Sequence, residues 1–315
     1  MKSRASAPGK VILFGEHFVV YGVKAILCAI DKRVVVTAED IPEGKISIKS
    51  NIGNLELATS KPIEDIDSPL KPFYFLARKM IEKHGRASGV RICVESEIPA
   101  GVGLGSSSAC CVAGAAAISR LFEENNKQQI LEMAIEAERT IFQNTSGADC
   151  TVCTFGGLLE YDKKNGFVQI ESKPNFHLVV ANSNIEHSTK TVVSKVRQFK
   201  HNHEGEFLDM CKKESELINH VMIMLKNNNL KELGNSMHRN QELLETIGIS
   251  NEKLREMIQI AENTSFGAKI TGAGGGGCII ALTDESNLEK TILQLRKKNY
   301  ECFSAKIDLK GLDTF

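Results

Sequence analysis

Residues 99–109 read Pro99, Ala100, Gly101, Val102, Gly103, Leu104, Gly105, Ser106, Ser107, Ser108, Ala109. Three glycines at alternate positions run into three serines. The stretch that follows, 106–122 (SSSACCVAGAAAISRLF), has the composition of a helix opened by serines, which favour N-cap positions. Glycine lets backbone N–H groups curl around an anion. A helix N-terminus adds its own free N–H groups and a partial positive charge. Serine hydroxyls add hydrogen bonds or a metal ligand. In physical terms the stretch is a phosphate cradle, although it lacks the Gly-Lys-Ser/Thr of a Walker A loop and the G-x-G-x-x-G dinucleotide spacing. The competing reading is a flexible turn before a helix.

Two further glycine-rich stations flank it. Upstream, residues 6–17 read SAPGKVILFGEH. A Pro-Gly turn leads into an apolar strand with Lys10 at its start, and alternation puts Lys10, Ile12 and Phe14 on one face. Gly15, Glu16 and His17 close the strand, where functional groups often stand. A solvated strand end and a surface turn are the plain alternatives. Downstream, 272–277 (GAGGGG) packs five glycines, Gly274 and Gly275 among them, into six residues. Each costs up to about 1 kcal/mol relative to alanine inside an element, so close backbone approach to a ligand or loop is the expected reason, against a plain hinge.

Between the stations lie two carboxylates. Over 127–143 (KQQILEMAIEAERTIFQ), helical spacing puts Leu131, Ala134, Glu138, Ile141 and Phe142 on one stripe. Glu138 therefore points inward, where a carboxylate must be paired, hydrogen-bonded or metal-bound. A structural salt bridge is the alternative. Asp149 follows the polar turn NTSGAD and precedes a strand-like segment, Thr151–Phe155. That position suits a general base at a strand end, although a turn or N-cap aspartate is the commoner use.

Composition narrows the partners. Lys+Arg and Asp+Glu are both 39 in 315 residues, so no basic surplus suggests a nucleic-acid or membrane-surface binder. There is no Trp, and aromatics are 6%, which is poor material for stacking single-stranded bases. No secretory signal and no membrane span is legible. Nine cysteines, several in apolar runs (Cys28, Cys110, Cys111, Cys278), behave as reduced thiols of a cytoplasmic protein. The lone Cys150-x-x-Cys153 has no second pair, and His201 and His203 lie in a charged stretch, so structural thiols are expected rather than a zinc site.

Strands are expected at 10–14, 25–38, 45–49, 90–96, 151–161, within 166–182, at 277–283 and at 301–308. Helices are expected at 70–84, 106–122, 127–143, 188–200, 206–228, 229–246, 251–264 and 285–298. The seam between halves falls near 162–175 or just after 182. The mixed pattern alone suggests a doubly wound sheet.

Together the three stations resemble the motifs of the GHMP kinase superfamily (galacto-, homoserine, mevalonate and phosphomevalonate kinases), in order and over nearly the whole chain. The first, APGKVILFGEHFVVYG at 7–22, and the segment ERTIFQNTSGAD at 138–149 look most like the mevalonate kinase family. Residues 183–190 (SNIEHSTK) are similar to that family's Ser/Thr segment.

The resemblance implies an α+β fold of two domains, 1–170 and 171–315, with the active site in the cleft between them. It implies ATP held by 99–109 and by Gly274 and Gly275, with Mg²⁺ on Ser107 and Glu138. Asp149 would take the proton of the acceptor hydroxyl, and Lys10 would pair with Asp149 or stabilise the moving phosphoryl group. Glu16, His17 and Thr189 would contact mevalonate or complete the polar shell around that pair. No nucleic acid and no membrane partner is implied. Oligomeric state stays open, a homodimer included. Rival readings are a related kinase acting on phosphomevalonate, a sugar or homoserine, and a non-catalytic ATP-dependent sensor lacking the Lys/Asp pair.

Overall fold

The computed structural model describes residues 1–85, 88–99, 101–123, 126–172, 174–186 and 188–315. The first strand, β1 (Lys2–Phe14), is longer than its apolar core suggests and leads through a 3₁₀ turn, Phe18–Tyr21, to β2 (Ala25–Ile41). β3 (Lys45–Ser50) and β4 (Gly53–Ala58) form a hairpin, followed by α1 (Lys71–His84) and β5 (Gly89–Ser96). Then come α2 (Ser106–Arg120), α3 (Lys127–Arg139), α4 (Ala148–Phe155), β6 (Leu158–Asp162) and β7 (Gly166–Gln169). The rest is β8 (His177–Asn182), α5 (Thr189–Asn202), α6 (Glu204–Lys226), α7 (Leu230–Thr246), α8 (Glu252–Glu262), β9 (Gly267–Ile270), β10 (Cys278–Thr283), α9 (Glu285–Lys297), β11 (Glu301–Ala305) and β12 (Asp313–Thr314).

Two separate sheets replace the doubly wound sheet that the raw pattern suggests. One is eight-stranded, ordered β12-β1-β2-β5-β3-β4, with β6 pairing β2 and β7 pairing β6. β2 is long enough to serve two neighbours: Ala25–Cys28 pair with β6, and Val34–Ile41 pair with β5. The β1–β2 register shifts between Pro8 and Gly9, where a residue without an N–H is tolerated. The other sheet is four-stranded, ordered β11-β8-β10-β9 and antiparallel throughout. Sheet membership changes between Gln169 and His177. Residues after β11 return to the first sheet: Ile307 bridges Ile30, and β12 pairs with β1.

α2 is the central helix. Its residues are small, and Ala109, Cys111–Ser119 are buried, as expected of a helix covered on every side. α1 comes so close that a Cβ on Gly114 would lie 2.8 Å from the Phe73 ring. α2 also packs on β1, β2, α3 and α4, so the three elements that carry Lys10, Glu138 and Asp149 share one rigid support.

The expected strand over 151–161 is corrected. Residues up to Phe155 are the helix α4, and only Leu158–Asp162 is extended. Local propensity favours extension for Thr151-Val152-Cys153-Thr154. Packing on α2 and β1 prevails, and both threonines satisfy their hydroxyls within the helix, Thr151 on the Gly147 carbonyl at 2.9 Å and Thr154 on the Cys150 carbonyl at 2.8 Å. The expected helix 127–143 ends at Arg139, so Ile141 and Phe142 leave the stripe and Phe142 is exposed.

Candidate active site

Lys10 does not begin its strand; it lies deep within β1. Its backbone N–H donates to the Leu104 carbonyl at 2.9 Å, which ties β1 to the glycine loop. The lysine stem then crosses Gly105, where an added Cβ would stand 2.6 Å from Lys10 Cγ. The ammonium ends 3.0 Å from Asp149 Oδ2. The lysine is buried, whereas the aspartate side chain is 36% exposed, so the pair has one open side. Asp149 sits in the first turn of α4 behind the left-handed cap Gly147, not before a strand. A helix N-terminus favours its negative charge.

The glycine loop has three left-handed residues, Gly101 (φ 76°), Gly103 (φ 83°) and Gly105 (φ 74°). Gly105, not a serine, is the N-cap of α2, and no side chain caps the helix. This corrects the expectation of serine caps and leaves first-turn N–H groups available to an anion. The Ala109 N–H is already committed to the Gly105 carbonyl at 2.9 Å. Leu104 is buried, Val102 half-buried and Pro99 exposed. Ala100 and His187 lie outside the described residues.

Glu138 is 4% exposed in the last turn of α3. The hydroxyl of Ser108 donates to its Oε1 and that of Thr145 to its Oε2. Among the described residues these are its hydrogen-bonding partners, and no cation pairs with it. A buried carboxylate with hydroxyl partners is a hard oxygen donor set suited to Mg²⁺. The serine directly on Glu138 is Ser108; Ser107, the residue singled out in sequence, lines the adjoining cavity with Ser106. That cavity is about 230 Å³ and mostly apolar, with Ile52, Phe73, Cys110 and Ile141 among its lining residues. Sequence reasoning does not find it, because its walls come from the β3–β4 turn, α1, α2 and the segment after α3. Burial pushes the Cys110 thiol up to about 12, so it is a neutral wall group.

The third loop faces the second across a gap: the nearest atom to a Cβ on Gly272 is the Gly103 carbonyl oxygen, at 3.9 Å. Gly274 (φ 74°) packs so tightly on Ile249 that a Cβ would lie 2.6 Å from its carbonyl oxygen, and the Gly275 N–H donates to that oxygen at 2.6 Å. Thr271 locks the loop to β1: its Oγ1 accepts from the Ile12 N–H and donates to the Ile12 carbonyl, both at 3.0 Å. His17 Nε2 bonds the Ala273 carbonyl at 2.7 Å, which requires the hydrogen on that nitrogen. Burial holds the His17 imidazole below its ordinary value.

Glu16 is fully buried in an ion pair with Lys269. One of its carboxyl oxygens is therefore engaged by Lys269 inside the protein. Burial raises the Glu16 carboxyl and lowers the Lys269 ammonium, and their contact pulls each back. Glu214 and Asn240 adjoin them. Glu214 Oε1 accepts from the Gly15 N–H at 2.9 Å, and Asn240 Nδ2 donates to both carboxyl oxygens at 2.8 Å. These three residues carry no motif signal; a charged residue at a buried helix or strand position is the only hint. Thr189 is exposed in the first turn of α5, capped by Ser188. All nine cysteines are free, and among the described residues no His/Cys/Asp/Glu cluster has metal-site geometry. No helix is long and apolar enough to cross a membrane, among the residues described.

Comparison with known proteins gives two family matches: "GHMP kinases N terminal domain" over residues 72–157 and "GHMP kinases C terminal" over 222–301. The mevalonate kinase of Thermococcus onnurineus is 36% identical over 321 residues, covering 92% of this chain and 91% of its own length. That of Methanothermobacter thermautotrophicus is 34% identical over 317 residues, with 99% and 100% covered. The crystal structure of the Methanococcus jannaschii mevalonate kinase superposes with a TM-score of 0.86 at 28% identity, over 96% of this chain and 98% of that one.

Proposed function

Since the chain belongs to the mevalonate kinase family of GHMP kinases, we propose that it transfers the γ-phosphoryl group of ATP to the primary hydroxyl of mevalonate, giving 5-phosphomevalonate. The observation that carries this reading at the level of chemistry is the Lys10–Asp149 pair, 3.0 Å apart and open on the aspartate side, beside the N-terminus of α2. Phosphoryl transfer needs a held triphosphate, compensated charge and an oriented nucleophile.

The N–H groups of 101–108 hold the phosphates, with Gly274 and Gly275 shaping the opposite loop. The apolar cavity beside Ser106 and Ser107 takes the nucleobase, continuing from the phosphate loop into the space between Ile52 and Ile141. Asp149 accepts a hydrogen bond from the acceptor hydroxyl, orients it and takes its proton as transfer proceeds. Lys10 pairs with Asp149 and offers positive charge to the moving phosphoryl group. Glu138, with Ser108 on it and Ser107 next in sequence, would hold Mg²⁺, which when bound would neutralise charge on the phosphate oxygens. His17 orders the third loop through Ala273, and Thr189 borders the acceptor side. In this reading 1–170 supply the phosphate loop, the Mg²⁺ site and the catalytic pair, 171–315 supply the third loop, and the site lies between them.

The test is release of ADP against a panel of alcohols: mevalonate, phosphomevalonate, homoserine and galactose. Turnover with mevalonate above the rest is expected. Turnover with another acceptor and none with mevalonate would overturn the substrate assignment. A sensor without catalysis is disfavoured by the intact Lys10–Asp149 pair.

A further inference from the structure

Behind the turn Gly15–His17 lies a buried polar cluster that phosphoryl transfer as derived above does not use. It joins four elements: the end of β1 (Gly15, Glu16), α6 (Glu214), α7 (Asn240, Gln241) and β9 (Lys269). Glu214, Asn240 and Lys269 are all fully buried, and Glu16 is 1% exposed. Lys269 donates to Glu16 and to its neighbour's carbonyl, Ile270 O, at 2.6 Å. Gln241 Oε1 accepts from the Ile270 N–H at 3.0 Å, which fixes the strand that carries the lysine.

Charge accounting leaves this cluster short by one proton, and hydrogen-bond accounting leaves it short of donors. Two carboxyls face one ammonium. Lys269 neutralises Glu16, while among the described residues Glu214 is hydrogen-bonded by the Gly15 N–H and the Asn240 amide alone. The other titrating groups that sense the two carboxyls are Lys10, beyond Glu16, and Cys211, one turn earlier on α6. In addition, two buried acceptors, Glu16 Oε2 and Asn240 Oδ1, have no donor among the described residues. Each such atom costs free energy, and a carboxylic acid proton is a donor. A lone buried carboxylate without a counter-charge is also expensive.

We propose that Glu214, Asn240 and Lys269 are positioning residues that fix the Gly15–His17 turn, and through His17 the third glycine loop, and that the Glu214–Glu16 carboxyl pair retains one proton while doing so. The role in positioning rests on the phosphoryl-transfer reading above; the proton does not. Burial raises the Glu214 carboxyl to about 7, in keeping with the cluster's composition. When the proton leaves, a second negative charge faces Glu16 in a closed space, and the turn that holds Ala273 loosens.

Two measurements on the full chain test this. The first is an infrared difference spectrum of the wild type between about pH 6 and about pH 8.5. It should lose one carboxylic-acid C=O band that Glu214→Gln lacks. The second is the ratio of kcat for Glu214→Gln to wild type, with ATP and mevalonate. It should rise at least about threefold over the same range, with KM for ATP changing less than about twofold. No acid band in the wild type, or a ratio that does not change with pH, overturns the proposal. If Glu214→Gln does not fold, the wild-type band decides the proton, and Asn240→Ala decides positioning: kcat should fall at least about tenfold with KM for ATP nearly constant, and equal changes in both would overturn it. The infrared reading needs no turnover, so a failed acceptor assay sinks the functional reading and the positioning role that rests on it, and leaves the proton to be decided by the band.

Discussion

Lys10 reaches Asp149 by passing over Gly105: one residue's missing side chain is the channel through which a strand lysine meets a helix aspartate 3.0 Å away. Lys10→Met and Asp149→Asn should each lower kcat by about 10²–10⁴-fold. Binding of a fluorescent ATP analogue should stay within about threefold, since neither side chain belongs to the phosphate-holding backbone. Full turnover in both variants would refute the assignment.

Gly105→Ala should be nearly as damaging as loss of the lysine. The new methyl falls 2.6 Å from Lys10 Cγ, and the position has φ 74°, which costs an L-residue about 1–2 kcal/mol before any clash. Gly103→Ala, with open space around its Cβ, carries only the backbone cost. Comparing kcat for the two separates displacement of the lysine from strain in the loop.

Glu138→Gln should raise the Mg²⁺ concentration needed for half-maximal rate by at least about tenfold. The amide keeps the shape and its carbonyl can still accept from Ser108, but the charge is gone. An unchanged Mg²⁺ titration would return Glu138 to a purely structural role.

Cys110→Trp should fill the cavity beside Ser106 and Ser107. KM for ATP should rise by at least about tenfold while KM for mevalonate stays within about twofold. A rise in the acceptor KM instead would move the nucleobase out of this cavity.

His17 gives a prediction on the acid side. Burial lowers its pKa from 6.5, so below that value the unfolded chain binds a proton that the folded chain resists. Stability from this group is therefore complete above pH 6.5 and is lost as pH falls through the folded value, at most about 1.4 kcal/mol per pH unit. His17→Gln keeps a donor for Ala273 and should flatten that part of the denaturation profile measured from about pH 7 to about pH 5. A profile parallel to the wild type would show that His17 does not titrate there.

Much of the site is legible in sequence because its chemistry is local. Alternate glycines running into serines point to a backbone anion site, and three- and four-residue spacing turns Glu138 inward. Asp149 was legible as a residue but not as a place: β-branched neighbours pointed to a strand, and only packing on α2 makes 148–155 helical. Glu214, Asn240 and Lys269 were silent, since their meaning arises where α6, α7 and β9 converge on one turn, and no window of sequence contains that meeting. The apolar cavity was silent for the same reason. Its walls are brought together by tertiary structure: Ile52 comes from the β3–β4 turn, and Phe142, on the inward stripe in sequence, lies past the end of α3.

The return of residues 306–315 to the first sheet has a consequence for how the molecule is made. Ala5 pairs with Thr314, Arg33 grips Asp308, and the Leu312 N–H donates to the Thr154 carbonyl at 3.0 Å, at the far end of the helix that begins beside Asp149. On the ribosome β1 emerges early and its outer neighbour β12 last. The edge of β1 at Ala5 and Ser6 thus stays unpaired until residues 313–314 have been translated. Such long-range closure slows folding and leaves that edge exposed meanwhile, so the stretch of β1 at Ala5 and Ser6 is completed by residues more than 300 positions away.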